Sequence, residues 1–190
     1  SGLVGSEMCI RDRLYPDISF ELFEYGSIRA ANMVQEGKLD LALVNMHFYE
    51  IDKLNSFTVM NDKIVFCVSK SHPLAKCHEV TIEMIKNEPL IMYNTDSVQN
   101  ETLDTAFKRA GVNPNVILHA SQLYTIRNFI CNNLGGAFLY SSLQKNLSGT
   151  TGIPISPVIN QNIGIVWKKG SYTTDSAEKF ITYIINKYSN

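Results

Sequence analysis

Glu36-Gly37-Lys38-Leu39-Asp40-Leu41-Ala42-Leu43-Val44 is the stretch on which the fold turns. Gly37 reads as the stop of a helix, because glycine takes the left-handed conformation that closes helices without a steric cost. Residues 39–44 then read as a nearly all-apolar strand, and Asn45 and Met46 carry the chain out at its carboxyl end. In open α/β sheets that end is where small ligands bind. Upstream, Ser27 is a good N-cap for a helix with Ile28, Ala31 and Val34 on one side. Before it, residues 18–25 alternate partly and read as a strand. Strand, helix and strand make a βαβ unit, for which a parallel pair with a right-handed crossover is expected.

Downstream the alternation continues. Residues 57–60 and 64–68 read as short strands, with Asn61-Asp62 as a tight turn between them. The polar run Ser69-Lys70-Ser71-His72-Pro73-Leu74 reads as a crossing between lobes. Thr81 is expected to cap a short helix over 82–86, and residues 90–93 form a strand. The loop 94–100 opens a helix with the stripe Leu103, Ala106, Phe107 and Ala110. After a strand at 116–120, Ser121 is expected to cap a helix whose apolar face is Leu123, Ile126, Ile130 and Leu134. Gly135-Gly136 ends that helix before a strand at 137–140. A loop at 148–152 leads to Pro154 and Pro157, which mark a second crossing. A strand at 163–167 and a final helix follow. That helix shows a capping box, Asp175-x-x-Glu178, and the stripe Ala177, Phe180, Ile181, Ile184 and Tyr188.

The class this predicts is α/β with mostly parallel sheets. Two crossings imply two hinged lobes. Residues 14–69 and 158–190 would form lobe I, with 70–157 inserted as lobe II. Residues 1–13 lack periodicity and read as a non-native or disordered leader, with a short native tail as the alternative, and Cys9 is set aside with them.

Composition narrows the function. The 190 residues are 45% hydrophobic with a formal net charge of -1, which fits a globular chain and offers no basic stripe for nucleic acid. The four cysteines, Cys9, Cys67, Cys77 and Cys131, form no CxxC pair and read as reduced thiols of a cytosolic protein. No apolar run approaches the roughly 20 residues of a membrane span, and no secretory signal is visible. GxSxG, P-loop, GxGxxG and HExxH motifs are lacking, so no catalytic residue is assigned. His72, Cys77 and His78 match no standard zinc spacing, so no metal is called for. Cys131 reads as a buried thiol, His119 as a packed imidazole, and Trp167 and Phe180 as core anchors.

Three helix starts are expected to face a shared cleft: Gly26-Ser27, Thr95 to Ser97, and Ser121-Gln122. Each presents free N–H groups and a positive dipole end, worth about 0.3–1 kcal/mol toward an anion. With Asn45 at its strand end, the candidate binding residues are Gly26, Ser27, Asn45, Thr95, Ser121 and Gln122. Such a set suits an organic acid or an amino-acid-like molecule, with no cofactor.

Several segments together resemble the effector-binding (substrate-binding) domain of LysR-type transcriptional regulators. They are Tyr15-Pro16-Asp17, residues 36–43, Ser71-His72-Pro73-Leu74-Ala75, Glu88-Pro89-Leu90-Ile91, Asn133-Leu134-Gly135-Gly136-Ala137-Phe138-Leu139, Ile153-Pro154-Ile155 and residues 163–168. The resemblance implies a type 2 periplasmic-binding-protein-like fold, two lobes joined by two crossover segments with the effector between them. It places Ser27, Ser121 and Gln122 where family members contact effectors. The function implied is ligand sensing in a bacterial, cytoplasmic transcription factor. DNA would be met only through an N-terminal helix-turn-helix absent from this sequence. The family's first strand and helix are likewise expected to be missing before Leu14. Homodimers or homotetramers are implied for the full-length protein. The alternative is a transporter's solute-binding protein with the same fold, and an enzyme on this scaffold is a weaker third.

Overall fold

The computed structural model describes residues 19, 21–47, 53–94, 97–170 and 174–189. Helix α1, Ser27–Gln35, ends through Glu36 on Gly37, whose φ is +73°. The Gly37 N–H donates to the Val34 carbonyl at 3.0 Å and the Lys38 N–H to the Met33 carbonyl at 2.8 Å. That pair of reversed bonds is a Schellman close, which glycine favours. Strand β1, Leu41–Asn45, follows. Its side chains divide by pleat. Ala42 and Val44 pack with Ala30, Ala31 and Val34 of α1. Leu41 and Leu43 pack with Ile181 and Ile184 of the last helix, α5, which spans Asp175–Tyr188. A strand covered on both faces reads as a continuous apolar run, which is why Leu-Ala-Leu-Val shows no alternation.

The spine is β2, Leu54–Ser69, a single 16-residue strand. It replaces the two short strands and the Asn61-Asp62 turn expected from sequence. Asn61 and Asp62 pair in register with Asn162 and Gln161 of β7, Asn160–Lys168. No glycine or proline interrupts β2, and these two polar residues fall where one face of the strand is open to water. Residues 54–63 pair with β7. From Ile64 onward the strand is buried throughout and pairs instead with β5, Gly136–Tyr140, and β6, Thr150–Pro154. The change of partner therefore falls at Lys63/Ile64, and residues 69–74 lie beyond it. There His72 caps a 3-10 turn, Pro73–Lys76, by accepting the Leu74 N–H on Nδ1.

Among the described residues the strands run β1-β7-β2-β5-β3-β4, with β6 beside β2; β3 is Leu90–Met92 and β4 is Val116–His119. Among the named strand pairs only β3–β4 and β3–β5 are parallel. The β1–β7, β2–β7, β2–β5 and β2–β6 pairs are antiparallel, which corrects the expectation of mostly parallel sheets. A chain that leaves one lobe along a strand and returns beside it must run in opposite directions. The fold is thus mixed α/β, in two lobes joined by two crossovers, β2 itself and the segment at 156–160.

Other expectations shift. Residues 21–25 form no strand, and Leu22 and Phe23 are exposed; Ile18 and Phe20 lie outside the described residues. No described strand pairs with that segment, and a lone exposed segment satisfies its N–H and C=O groups with water, gaining nothing from the extended form. The first βαβ unit is therefore not present among the described residues. Residues 82–87 make turns rather than a helix. Strand β6 occupies what read as a loop and a crossing. It pairs along its length with β2, and on its other side only its end is met, by Val80, whose N–H donates to the Pro154 carbonyl at 2.9 Å; that edge tolerates its terminal proline. The last helix starts one residue early: Thr174, not Asp175, caps it and accepts the Ala177 N–H at 3.3 Å.

Lobe II packs both faces of its sheet. Leu103 and Phe107 of α2, Val98–Ala110, cover Phe66 and Phe138. Ile126 and Ile130 of α3, Leu123–Cys131, cover Val65, Cys67, Ala137 and Leu139 on the other side. Phe138 stands at the centre, with ring centroids 5.3 Å from Phe66 and 6.0 Å from Phe107. No described helix is long and apolar enough to cross a membrane.

Candidate functional site

Asn45 ends β1 and is only 4% exposed, so its polar atoms need partners. Its backbone N–H donates to Ser27 Oγ at 3.0 Å, tying the start of α1 to the end of β1. Its Nδ2 donates to the Tyr140 hydroxyl at 3.0 Å and also to Oε1 of Gln161, which is fully buried. Its Oδ1 accepts the His47 N–H at 3.0 Å. Gln161 donates in turn from Nε2 to the Asn160 carbonyl at 2.7 Å. Asn45 and Gln161 belong to lobe I, while Tyr140 ends β5 in lobe II. The cluster therefore spans the boundary.

Beside it, Asp62 accepts from the backbone N–H of Ser142 at 3.2 Å and from the Ser142 hydroxyl. Ser142 lies in α4, the single turn Ser141–Gln144 that follows Tyr140. The other Asp62 oxygen accepts the Lys63 N–H at 2.7 Å. Burial raises the pKa of Tyr140, the Asn45 hydrogen bond lowers it by less, and the Asp62 charge raises it further. Tyr140 is thus held as a neutral phenol. Tyr93, just past β3, is pushed up to about 12, first by burial and then by Tyr140 and Cys67.

The parallel strands β5, β3 and β4 end along one edge, at Tyr140, Tyr93 and Ser121 in turn, where Ala120 N–H still bonds the Met92 carbonyl at 2.9 Å.

The structure brings Gly26, Ser27 and Asn45 together. Their roles differ from those read in the sequence: Gly26 is the N-cap of α1, without a side-chain cap bond, and Ser27 is the first helical residue. Similarly, Gln122 rather than Ser121 occupies the N-cap of α3, with no side-chain cap bond, and both residues are exposed. They lie at the same strand-end edge as Tyr93 and Tyr140 but make no hydrogen bond to the Asn45 cluster. Thr95, and Asp96 with it, lies outside the described residues. Ser97 caps α2 by accepting the Asn100 N–H at 3.1 Å.

Tyr140, Gln161, Asp62 and Tyr93 were missed. Tyr140 and Tyr93 had a signal: each stands at the carboxyl end of a buried strand, as Asn45 does. Gln161 carried none, because its strand was expected to begin at 163. His72 is engaged locally, with Nε2 3.4 Å from a Glu88 oxygen. Burial raises the Cys67 thiol far above its usual value. Cys131 is half-buried, with Sγ 3.9 Å from the Ser148 carbonyl.

The model of the LysR substrate binding domain family matches residues 12–189. The chain is 31% identical over 172 residues to the uncharacterized HTH-type transcriptional regulator YwbI of Bacillus subtilis (strain 168). The match covers 89% of this chain and 57% of that protein. In structure it is similar to the CcmR regulatory domain of Synechocystis PCC6803 in complex with 2-PG, with a TM-score of 0.89 at 20% identity, covering 99% and 92% of the two chains. It is also similar to the effector binding domain of QuiR in complex with shikimate, at 0.84 and 16%, covering 98% and 90%.

Proposed function

The chain belongs to the LysR substrate binding domain family, and on that footing we propose that it senses a small effector between its lobes for a bacterial transcription factor. The observation that carries this is the Asn45–Tyr140 hydrogen bond, which joins the lobes at the carboxyl ends of β1 and β5. Beside it stand the Ser27 hydroxyl, the Tyr140 phenol, the Gln161 amide and the start of α1, with the start of α3 on the same strand-end edge. Such a lining orients an organic acid or an amino-acid-like molecule without a metal. The lobes divide at Lys63/Ile64 and at residues 156–160. An effector that binds one lobe arrangement more tightly than another shifts the population by that difference in affinity.

The chain spans 57% of the length of its YwbI relative, so action on DNA belongs to the parent protein through its own DNA-binding module. The relatives are transcriptional regulators, which favours this reading over a transporter's binding protein. In the parent we place the domain in the cytoplasm, in a homodimer or homotetramer, with no catalytic step. The test is calorimetry and thermal shift of this chain against a panel of organic acids and amino acids. A hit should lose affinity in Ser27→Ala and in Ser121→Ala. Unchanged affinity in both would move the pocket elsewhere.

A further inference from the structure

We infer that Tyr140 is the residue that meets the effector on the cleft floor, and that Asn45 is a positioning residue that holds it there rather than a ligand contact; this rests on the effector-binding reading above. The argument is a count of hydrogen-bonding capacity. The Asn45 carboxamide has two N–H protons, and both are committed, one to Tyr140 across the lobe boundary and one to Gln161. Its oxygen accepts the His47 N–H, and its backbone N–H is held by Ser27. At 4% exposure the side chain has no donor left to offer. A ligand that took either proton would first have to break a hydrogen bond already made, the one to Gln161 buried and the one to Tyr140 partly so.

Tyr140 stands differently. Its oxygen accepts from Asn45, so its own O–H proton must point elsewhere, and among the described residues nothing accepts it. Asp62 is the nearby carboxylate, but it makes no hydrogen bond to Tyr140; its oxygens accept the Lys63 N–H and the Ser142 N–H and hydroxyl instead. A hydroxyl that accepts one hydrogen bond is polarised toward donating another. Burial keeps the phenol protonated, so it remains a donor throughout the physiological range. The ligand class follows: the effector carries a hydrogen-bond acceptor at this point, a carboxylate, phosphate or carbonyl oxygen. A simple amine does not satisfy it.

The test is calorimetry of the 190-residue chain against succinate, glutamate, shikimate and inorganic phosphate, with 1,4-diaminobutane as the acceptor-free control. The tightest acid should lose about tenfold or more in Tyr140→Phe, the cost of one hydrogen bond to a charged group. Asn45→Ala should weaken the same acid, yet add no further loss in the Tyr140→Phe background. A residue that merely supports the fold would not give that non-additivity. If Asn45→Ala does not fold, as judged by thermal unfolding, Asn45→Ser takes its place. Wild-type affinity in Tyr140→Phe overturns the inference, as does an Asn45→Ala loss of equal size in both backgrounds. Binding of the diamine but of no acid overturns it and leaves effector sensing intact. Binding of nothing removes effector sensing, and this inference with it.

Discussion

Asp62 and Ser142 meet across the lobe boundary, where both the backbone N–H and the hydroxyl of Ser142 donate to one oxygen of the Asp62 carboxylate. The first residue lies on the β7-paired half of β2, the second in the turn after β5. Ser142→Ala removes one of the two donors at an exposed position. A loss of about 0.5–1 kcal/mol is expected in urea unfolding. Asp62→Ala removes both bonds together with the one from the Lys63 N–H and should cost more than Ser142→Ala, and the two changes should be non-additive. Strict additivity would show that the pair is not formed in solution.

Gly136 sits under the ring of Phe66. A Cβ added there would stand 2.2 Å from Cζ, against a ring that is fully buried. Gly136→Ala should therefore destabilise the fold by about 1–3 kcal/mol through overpacking. Gly136→Ala combined with Phe66→Leu should recover part of that loss, as read from denaturant midpoints.

Phe107 lies edge-on to Phe138 and is 1% exposed. Phe107→Ala is expected to cost about 3–5 kcal/mol. Tyr124 on α3 is 73% exposed, and Tyr124→Ala should stay within about 0.5 kcal/mol of wild type. Chemical unfolding of the two variants side by side checks both figures.

Thr174 rather than Asp175 holds the start of α5. Thr174→Ala should cost about 1 kcal/mol, and Asp175→Ala only the smaller helix-dipole contribution of a first-turn acid. Equal losses, measured by thermal unfolding, would restore the capping box read from the sequence.

The tyrosines give stability an alkaline limit. Tyr93 is raised from 10.0 to about 12 in the folded chain, and Tyr140 is also raised. A group whose folded pKa is raised keeps its proton longer in the native state than in the unfolded one. Its contribution is fully present below pH 10 and is lost as pH rises through the folded value. Stability should fall between about pH 10 and 12, and Tyr93→Phe should flatten that fall. A slope in this window that Tyr93→Phe leaves unchanged would assign the titration to other groups.

How far the sequence revealed this molecule depended on how local each signal was. The α1 stop at Gly37 and the apolar β1 were legible because a helix close and a two-face burial leave marks within nine residues. The union of 57–60 and 64–68 into β2 was not. Asn61-Asp62 carries the composition of a turn, and only the pairing partner across the sheet, some hundred positions later, makes it strand. The absence of a strand at 21–25 has the opposite cause, since local alternation was present and no partner strand lies among the described residues. At the site, strand-end logic found Asn45 and should have found Tyr140 as well. It could not read how Asn45 is engaged, because its partners Gln161, Tyr140 and His47 are brought to it only by folding.

Since β2 is one unbroken run serving both halves, neither half can be dissected away as a gene fragment without cutting through hydrogen-bonded backbone. Whatever movement the halves make is limited to flexing and twisting about a shared spar and its return segment. Swivelling freely or sliding past one another is not open to them. Engineering that grafts a new recognition half onto this scaffold would have to splice inside that spar, keeping its inward and outward side chains in phase.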